Sequence, residues 1–397
     1  MDKEERGTRN ASMAVLAVYS SLKGACHNMR YVVWQPFVLS LGISMGNLGG
    51  LESLMELSRL IVQPVIGGAS DAQGRKRWLL IREALSIFIG VLSILAGSWQ
   101  LLAIVMIFLG FEGALYNVWT ALVADSFEAK NLGYTLSVLS AFSTAMGLIA
   151  TFSAGFIAEN YGFKAVFILS TIFSCLSFLL VLFKQHETVS GAEPHFNVRE
   201  AYRSLVDTLK PPRELWGFYL AMSLDLFAFS LGYRLISGML SKGYGYTPQM
   251  LGLMMTVAMA SKTVAQIPAG MFIERVGYSK YMAIGQMFSI SYLGILVFTK
   301  RFDLVLLSQV LNGVSMAVWM PAESAWIASN VKTEERARAL GSYSTVRTLF
   351  SFPAPLIGGF LFDVYGFNVP VTLNIVLVLV DIVLILYLVK DRVASAG

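Results

Sequence analysis

Lys23, His27 and Arg30 fall at i, i+4 and i+7 in an apolar segment, so one face of a helix carries all three. Glu52, Glu56, Arg59 and Gln63 form a second such stripe, Glu112, Tyr116 and Trp119 a third, and Trp319, Glu323 and Trp326 a fourth. Asp225, Arg234, Lys262, Arg347 and Asp381 are further ionisable residues inside apolar runs. A charge at the centre of a helix facing lipid costs about 2.5–3.5 kcal/mol, so these groups must face one another or a wet cavity. The chemistry they offer is solute recognition and proton exchange. Lys23, His27, Arg30, Arg59, Lys262 and Arg347 suit an anionic solute such as a carboxylate. Tyr116, Trp319 and Trp326 suit its apolar or ring portion. Glu112, Asp225, Glu323 or His27 suits a coupling proton, because a carboxyl in low dielectric, like an imidazole, can alternate between neutral and charged forms; Glu112 is the first choice. Each stripe also has a plainer reading, as an ion pair or aromatic that fixes helix packing. Asp225 and Arg234 are nine residues apart, which on a straight helix puts them on opposite faces.

Other chemistries lack their residues. His27, His186 and His195 are scattered, and Cys26 and Cys175 sit singly in apolar segments, which gives neither a metal pattern nor a disulfide framework. No nucleophile has a base nearby, and no G-x-x-x-x-G-K-[ST] loop occurs. The sequence therefore implies no enzyme, no metal, no cofactor and no ATP-driven pump.

The elements that must position these stripes are membrane helices. The chain of 397 residues is 56% hydrophobic and only 14% charged, against roughly 25% charged in a soluble domain. Twelve apolar segments are long enough to span, at about 12–40, 47–69, 78–98, 100–125, 133–157, 163–184, 214–240, 250–272, 279–299, 304–328, 340–361 and 369–390. The stretch 185–213 divides them into bundles over 1–184 and 214–397. In that linker Val198, Tyr202, Leu205 and Leu209 share a helical face, and Asn197 with Glu200 resembles a capping box, so a short helix along the membrane surface is expected. Placing both termini in the cytoplasm puts nearly all loop Lys and Arg inside, including Arg75, Lys76, Arg77 and Arg82, and leaves Lys164, Lys242, Lys300 and Arg301 outside. The net charge of +5 then reflects cytoplasmic loops and implies no nucleic acid. No cleaved signal peptide is read at the start, and a multi-pass monomer in the plasma membrane is expected.

One pattern, Gly-x-x-x-acid-x-x-Gly, recurs four times, at Gly67/Asp71/Gly74, Gly155/Glu159/Gly162, Gly270/Glu274/Gly277 and Gly359/Asp363/Gly366. The first and third copies are 270 − 67 = 203 residues apart, the second and fourth 359 − 155 = 204. Arg59 and Lys262 share the offset of 203, as do Gln63 and Gln266. Two parallel halves, each of two inverted three-helix units, account for this. Whether the Arg59/Lys262 pair binds solute or latches the halves is left open by the sequence.

The loop GGASDAQGRKRWLL, Gly67 to Leu80, resembles the signature loop between spans 2 and 3 of the major facilitator superfamily. The matching positions are Gly67, Asp71, Gly74, Arg75 and Lys76; Ala72 departs from the usual basic residue. The resemblance implies an all-α integral membrane protein of twelve helices in two pseudo-symmetric six-helix bundles. It implies that spans 1, 4, 7 and 10 line a central cavity, and that spans 3, 6, 9 and 12 support it. Spans 3, 6 and 9 read as nearly free of mid-membrane charge, and Asp381 in span 12 as half of a structural pair. The resemblance also implies a latch in which Arg75 reaches an acid on a neighbouring span, with Asp125 as its partner. The Gly-Pro-x-x-Gly-Gly pattern of drug antiporters is absent from span 5, which reads GLIATFSAG from Gly147 to Gly155, and Met106 stands where many relatives have arginine.

The leading expectation is a secondary transporter for an organic anion, proton-coupled, working by alternating access. A proton-coupled exporter of drugs and cations is the alternative. A non-transporting sensor on the same fold is the second alternative, although the chain carries no large soluble extension.

Overall fold

The structure, a computed structural model, describes residues 3–127, 129–187, 202–203, 215–331 and 336–389. The expected linker helix falls outside the described residues except at Tyr202 and Arg203, and the side chains of Asp71 and Glu274 are likewise outside them. Among the described residues there is no strand. The helices are α1 (Lys3–Ser40), α2 (Met45–Gln73), α3 (Arg75–Leu95), α4 (Trp99–Ala114), α5 (Tyr116–Ser126), α6 (Ala129–Tyr161), α7 (Phe163–Lys184) and α8 (Trp216–Leu231). A 3-10 turn at Tyr233–Leu235 leads into α9 (Ile236–Tyr244). Then come α10 (Pro248–Val276), α11 (Tyr278–Phe298), α12 (Phe302–Asn330), α13 (Arg336–Ser351), α14 (Ala354–Tyr365) and α15 (Asn368–Leu388).

Ten helical segments among the described residues are long and apolar enough to cross a membrane. The charged stripes dilute the apolar character of α1 and α2, but at 38 and 29 residues both have spanning length. Span 4 is broken at Leu115 into α4 and α5, span 7 at Gly232 into α8 and α9, and span 11 at Phe352 and Pro353 into α13 and α14. The protein is thus an all-α, multi-pass membrane protein.

The four-fold motif has a backbone reason. Its final glycines, Gly74, Gly162, Gly277 and Gly366, all have positive φ, at 98°, 83°, 89° and 77°. A side chain there would clash with its own backbone, so glycine lets one helix stop and the next start within a residue.

The described chain packs as two units. Unit 1 comprises 1–41, 54–202 and 247–252; unit 2 comprises 42–53, 203–246 and 253–397. The short exchanged pieces, which begin α2 and α10, are held by the acids and glycines of motif copies four and two. In unit 2, Asp363 accepts hydrogen bonds from the N–H groups of Met45 (3.1 Å) and Gly46 (2.7 Å). A Cβ on Gly359 would run into the Met45 carbonyl. In unit 1, Glu159 accepts from the Gln249 N–H at 3.0 Å, and a Cβ on Gly155 would sit 2.6 Å from the Pro248 oxygen. Each carboxylate meets the donor-rich start of a helix, where N–H groups lack intrahelical partners. Backbone packing and capping thus group these two helix starts with the acids and glycines that hold them.

The repeat also governs close helix packing. Gly110 on α4 faces the Met55 oxygen, Ser58 and the Arg59 backbone of α2. Gly313 on α12 faces the Ala258 oxygen, Ser261 and the Lys262 backbone of α10, and 313 − 110 equals 262 − 59, or 203. Each unit therefore has one pair of helices that touches backbone to backbone beside its mid-span cation. Gly110→Ala and Gly313→Ala should each destabilise the protein by about 1–3 kcal/mol through overpacking. Gly294→Ala, with nothing near its added Cβ, should be close to neutral. Thermal unfolding in detergent measures all three.

Candidate functional site

In unit 1 the site is built on Lys23 of α1. Its Nζ lies 3.0 Å from Glu112 Oε1 and 3.4 Å from Glu83 Oε2, and it donates to Ser86 Oγ at 3.2 Å. Glu83 is fully buried; its Oε1 accepts from the Tyr19 hydroxyl at 2.6 Å, which in turn accepts from Arg82 Nη1 at 3.2 Å. Arg82 also lies over the Tyr116 ring, 5.6 Å from its centre. Two cations and two carboxylates thus neutralise one another around a tyrosine.

Arg82 and Glu83 correct the expectation that span 3 is nearly free of buried charge. Arg82 is buried two turns into α3, away from the loop to which its neighbours Arg75, Lys76 and Arg77 pointed. The basic run masked it. The adjoining acid Glu83 was the available signal, because a loop-anchoring arginine needs no buried carboxylate.

Arg30 has a different environment. Its Nε donates to Ser170 Oγ (3.1 Å), Nη1 to Ser86 Oγ (3.2 Å), and Nη2 to the Ser86 carbonyl (2.8 Å) and Ser174 Oγ (3.1 Å). Serines on α3 and α7 thus satisfy the guanidinium. His27 parts from its two stripe neighbours: it is exposed and stacks on Tyr31 with ring centres 6.1 Å apart. The break at Leu115 likewise divides the third stripe, leaving Tyr116 exposed while Trp119 packs on Tyr19.

Unit 2 places its acids together. Arg347 of α13 makes an ion pair with Glu323 of α12, and Tyr343 hydrogen-bonds both. Gln286 of α11 donates its amide to Asp225 of α8 and, at 3.3 Å, to Asp381 of α15. A neutral glutamine in span 9 thus joins two acids, a link that reading charged residues alone passes over. Arg234 turns elsewhere, to Glu52 at 3.3 Å. Trp326 is buried with its ring stacked on Phe218, 4.1 Å centre to centre, and Trp319 packs at the edge of the same core.

The symmetric pair is the least committed. Arg59 is half-buried beside Gly113, and Lys262 is half-buried with its Nζ 3.3 Å from Met320 Sδ. At the α2–α3 turn, Arg75 Nε meets Asp125 at 3.2 Å and its Nη1 donates to Ser70 Oγ at 3.1 Å. Glu187, unforeseen in the sequence, accepts from the Arg75 and Lys76 N–H groups at 2.8 and 3.1 Å and so caps α3. A recess of about 290 Å³ beside this turn is lined by Gln63, Ile66, Ser70, Arg75 and Asn117 among others. Among the described residues no group of His, Cys, Asp and Glu could hold a metal.

With that geometry, a family model decides the class: the one described as the Major Facilitator Superfamily matches residues 16–240 and again 220–397. The chain belongs to the major facilitator superfamily. As a facilitator protein it is similar over its length to the multidrug resistance protein MdtG of Salmonella dublin, 26% identical across 91% of this chain and 90% of that one. MdtG of Escherichia fergusonii is 25% identical across 94% and 93%. Among solved structures, the nucleoside transporter NupG superposes with a TM-score of 0.75 at 13% identity, covering 96% of this chain and 99% of that one. The human organic anion transporter MFSD10 does so with 0.68 at 15% identity, over 95% and 99%. These structural likenesses show the facilitator fold.

Lys23→Met should destabilise the facilitator by about 3–5 kcal/mol, because it strands buried carboxylates. Adding Glu83→Gln and Glu112→Gln should recover much of that loss in detergent unfolding. If the triple variant is no more stable than the single one, Lys23 is not the counterion of that cluster.

Proposed function

We propose that the protein exports amphiphilic, drug-like organic cations by alternating access, driven by a proton gradient. It would work as a monomer in the plasma membrane with both termini in the cytoplasm. The observation that carries this reading is the commitment of the buried cations. Lys23 is shared by Glu83 and Glu112, Arg30 is enclosed by serines, and Arg347 is held by Glu323. The anionic solute expected from the sequence relied on those three as free charges. In unit 2 the balance runs the other way: among the described residues Arg347 is paired with Glu323 and is the one guanidinium acting on Asp225, while Asp381 is met by the neutral amide of Gln286. A surplus of carboxyls in low dielectric favours cations and protons. Exposed Met and aromatic side chains suit the apolar part of such a solute, and the names of the MdtG relatives point the same way. The Arg75–Asp125 contact would act as one of the latches that open and close during the cycle.

A second reading, transport of an organic anion, is favoured by Arg59 and Lys262, two half-buried mid-span cations. Among the described residues they are neither ion-paired with a carboxylate, as Lys23 and Arg347 are, nor enclosed by serines, as Arg30 is. Reconstituted proteoliposomes separate the readings. The expected result is saturable movement of a fluorescent lipophilic cation that requires a pH gradient and is competed by unrelated lipophilic cations. Gradient-driven uptake of one carboxylate, indifferent to those cations, would overturn the proposal in favour of the second reading.

A further inference from the structure

We infer that Asp225 and Asp381, bridged by the amide of Gln286, form a proton-binding pair inside unit 2. Asp381 is wholly buried, and its Oδ1 has no hydrogen-bond partner among the described residues. Its Oδ2 accepts from Gln286 Nε2 at 3.3 Å, and the same nitrogen donates to Asp225 Oδ1. One neutral amide is therefore all that separates two carboxyl groups. A buried carboxylate with a bare oxygen costs several kcal/mol, whereas the neutral acid costs far less. Two carboxylates on one neutral donor also repel each other in low dielectric.

The surroundings supply no further compensation. From α13 the group acting on Asp225 is Arg347, already bound to Glu323 of α12 and to Tyr343. Glu323 acts on Asp225, and Asp225 on Asp381, each as one negative charge on another. From α14 the acid is Asp363, which is engaged elsewhere with Lys242 and the N–H groups of Met45 and Gly46. On α15, Asn374 lies seven residues before Asp381, on the same face, and its buried amide nitrogen is also unpartnered among the described residues. α15 thus presents a polar stripe toward α8 that packing alone does not require.

The donor set selects a proton over a metal cation. A cation needs oxygen acceptors converging on a point, whereas here an –NH₂ group occupies the position between the two carboxyls. Taking up a proton from water changes the pair from doubly to singly negative, with the proton resting on Asp381 Oδ1. Releasing it to water reverses the change. Asp225, which is half-buried, is the member open to exchange. Only the use of this site in coupling rests on the proposed export function; its occupancy by a proton does not.

The test needs no transported solute. Infrared difference spectra of the detergent-purified full chain, recorded against pH, read the C=O stretch of protonated carboxyl groups. The expected wild-type band grows as pH falls, disappears in Asp381→Asn, shifts in Asp225→Asn and persists in Asp363→Asn. Should Asp381→Asn not fold, loss or shift of the band in Asp225→Asn still decides the matter. An identical band in both variants would overturn the inference. So would a wild-type band abolished by sodium at constant pH, which would assign the pair to a cation.

Discussion

Every ionisable group placed in hydrocarbon must be compensated within the protein, and that constraint organises the rest of this structure. It brings Glu83 and Glu112 to Lys23, serines from two helices to Arg30, and Arg347 to Glu323. Each of these contacts joins separate helices, so charge compensation and bundle assembly are one event. The glycines act on the same problem from the backbone side. Gly110 and Gly313 bring α2 against α4 and α10 against α12, beside Arg59 and Lys262.

The two units resolve their charges unequally. Around Lys23 in unit 1, cations and carboxylates balance. In unit 2 the carboxyls outnumber the cation near them, and the excess is met by Gln286, a neutral donor. A pseudo-symmetric chain that retains such an asymmetry has one half suited to a fixed framework and the other to a change of charge. Under the proposed proton coupling, that division would let a site exchange its charge while the helices around it stay folded.

The repeat was legible in the sequence because it is written in glycines and acids at fixed offsets. Those glycines do one backbone job four times, at Gly74, Gly162, Gly277 and Gly366. The stripes were legible as helix faces but not as partners. Periodicity reports which residues share a face, not which helix lies opposite. Lys23 therefore read as a free cation, although its two acids lie 60 and 89 residues downstream. Arg82 was hidden by the basic run before it, and Gln286 by its neutrality. The break at Leu115 has no proline to announce it, only Gly113 two residues earlier, and it parts Tyr116 from Glu112. The exchanged helix starts at 42–53 and 247–252 depend on capping by Asp363 and Glu159, whose motif was read but whose targets were not.

If the carboxyl surplus of unit 2 exchanges a cationic solute for a proton, binding must displace protons even without a membrane. Calorimetric titration of the detergent-purified protein with tetraphenylphosphonium, in two buffers of different ionisation enthalpy, measures this directly. Net proton release that is abolished in Asp225→Asn is the expected result. Binding with no proton exchange in the wild type would contradict a shared site for proton and cation.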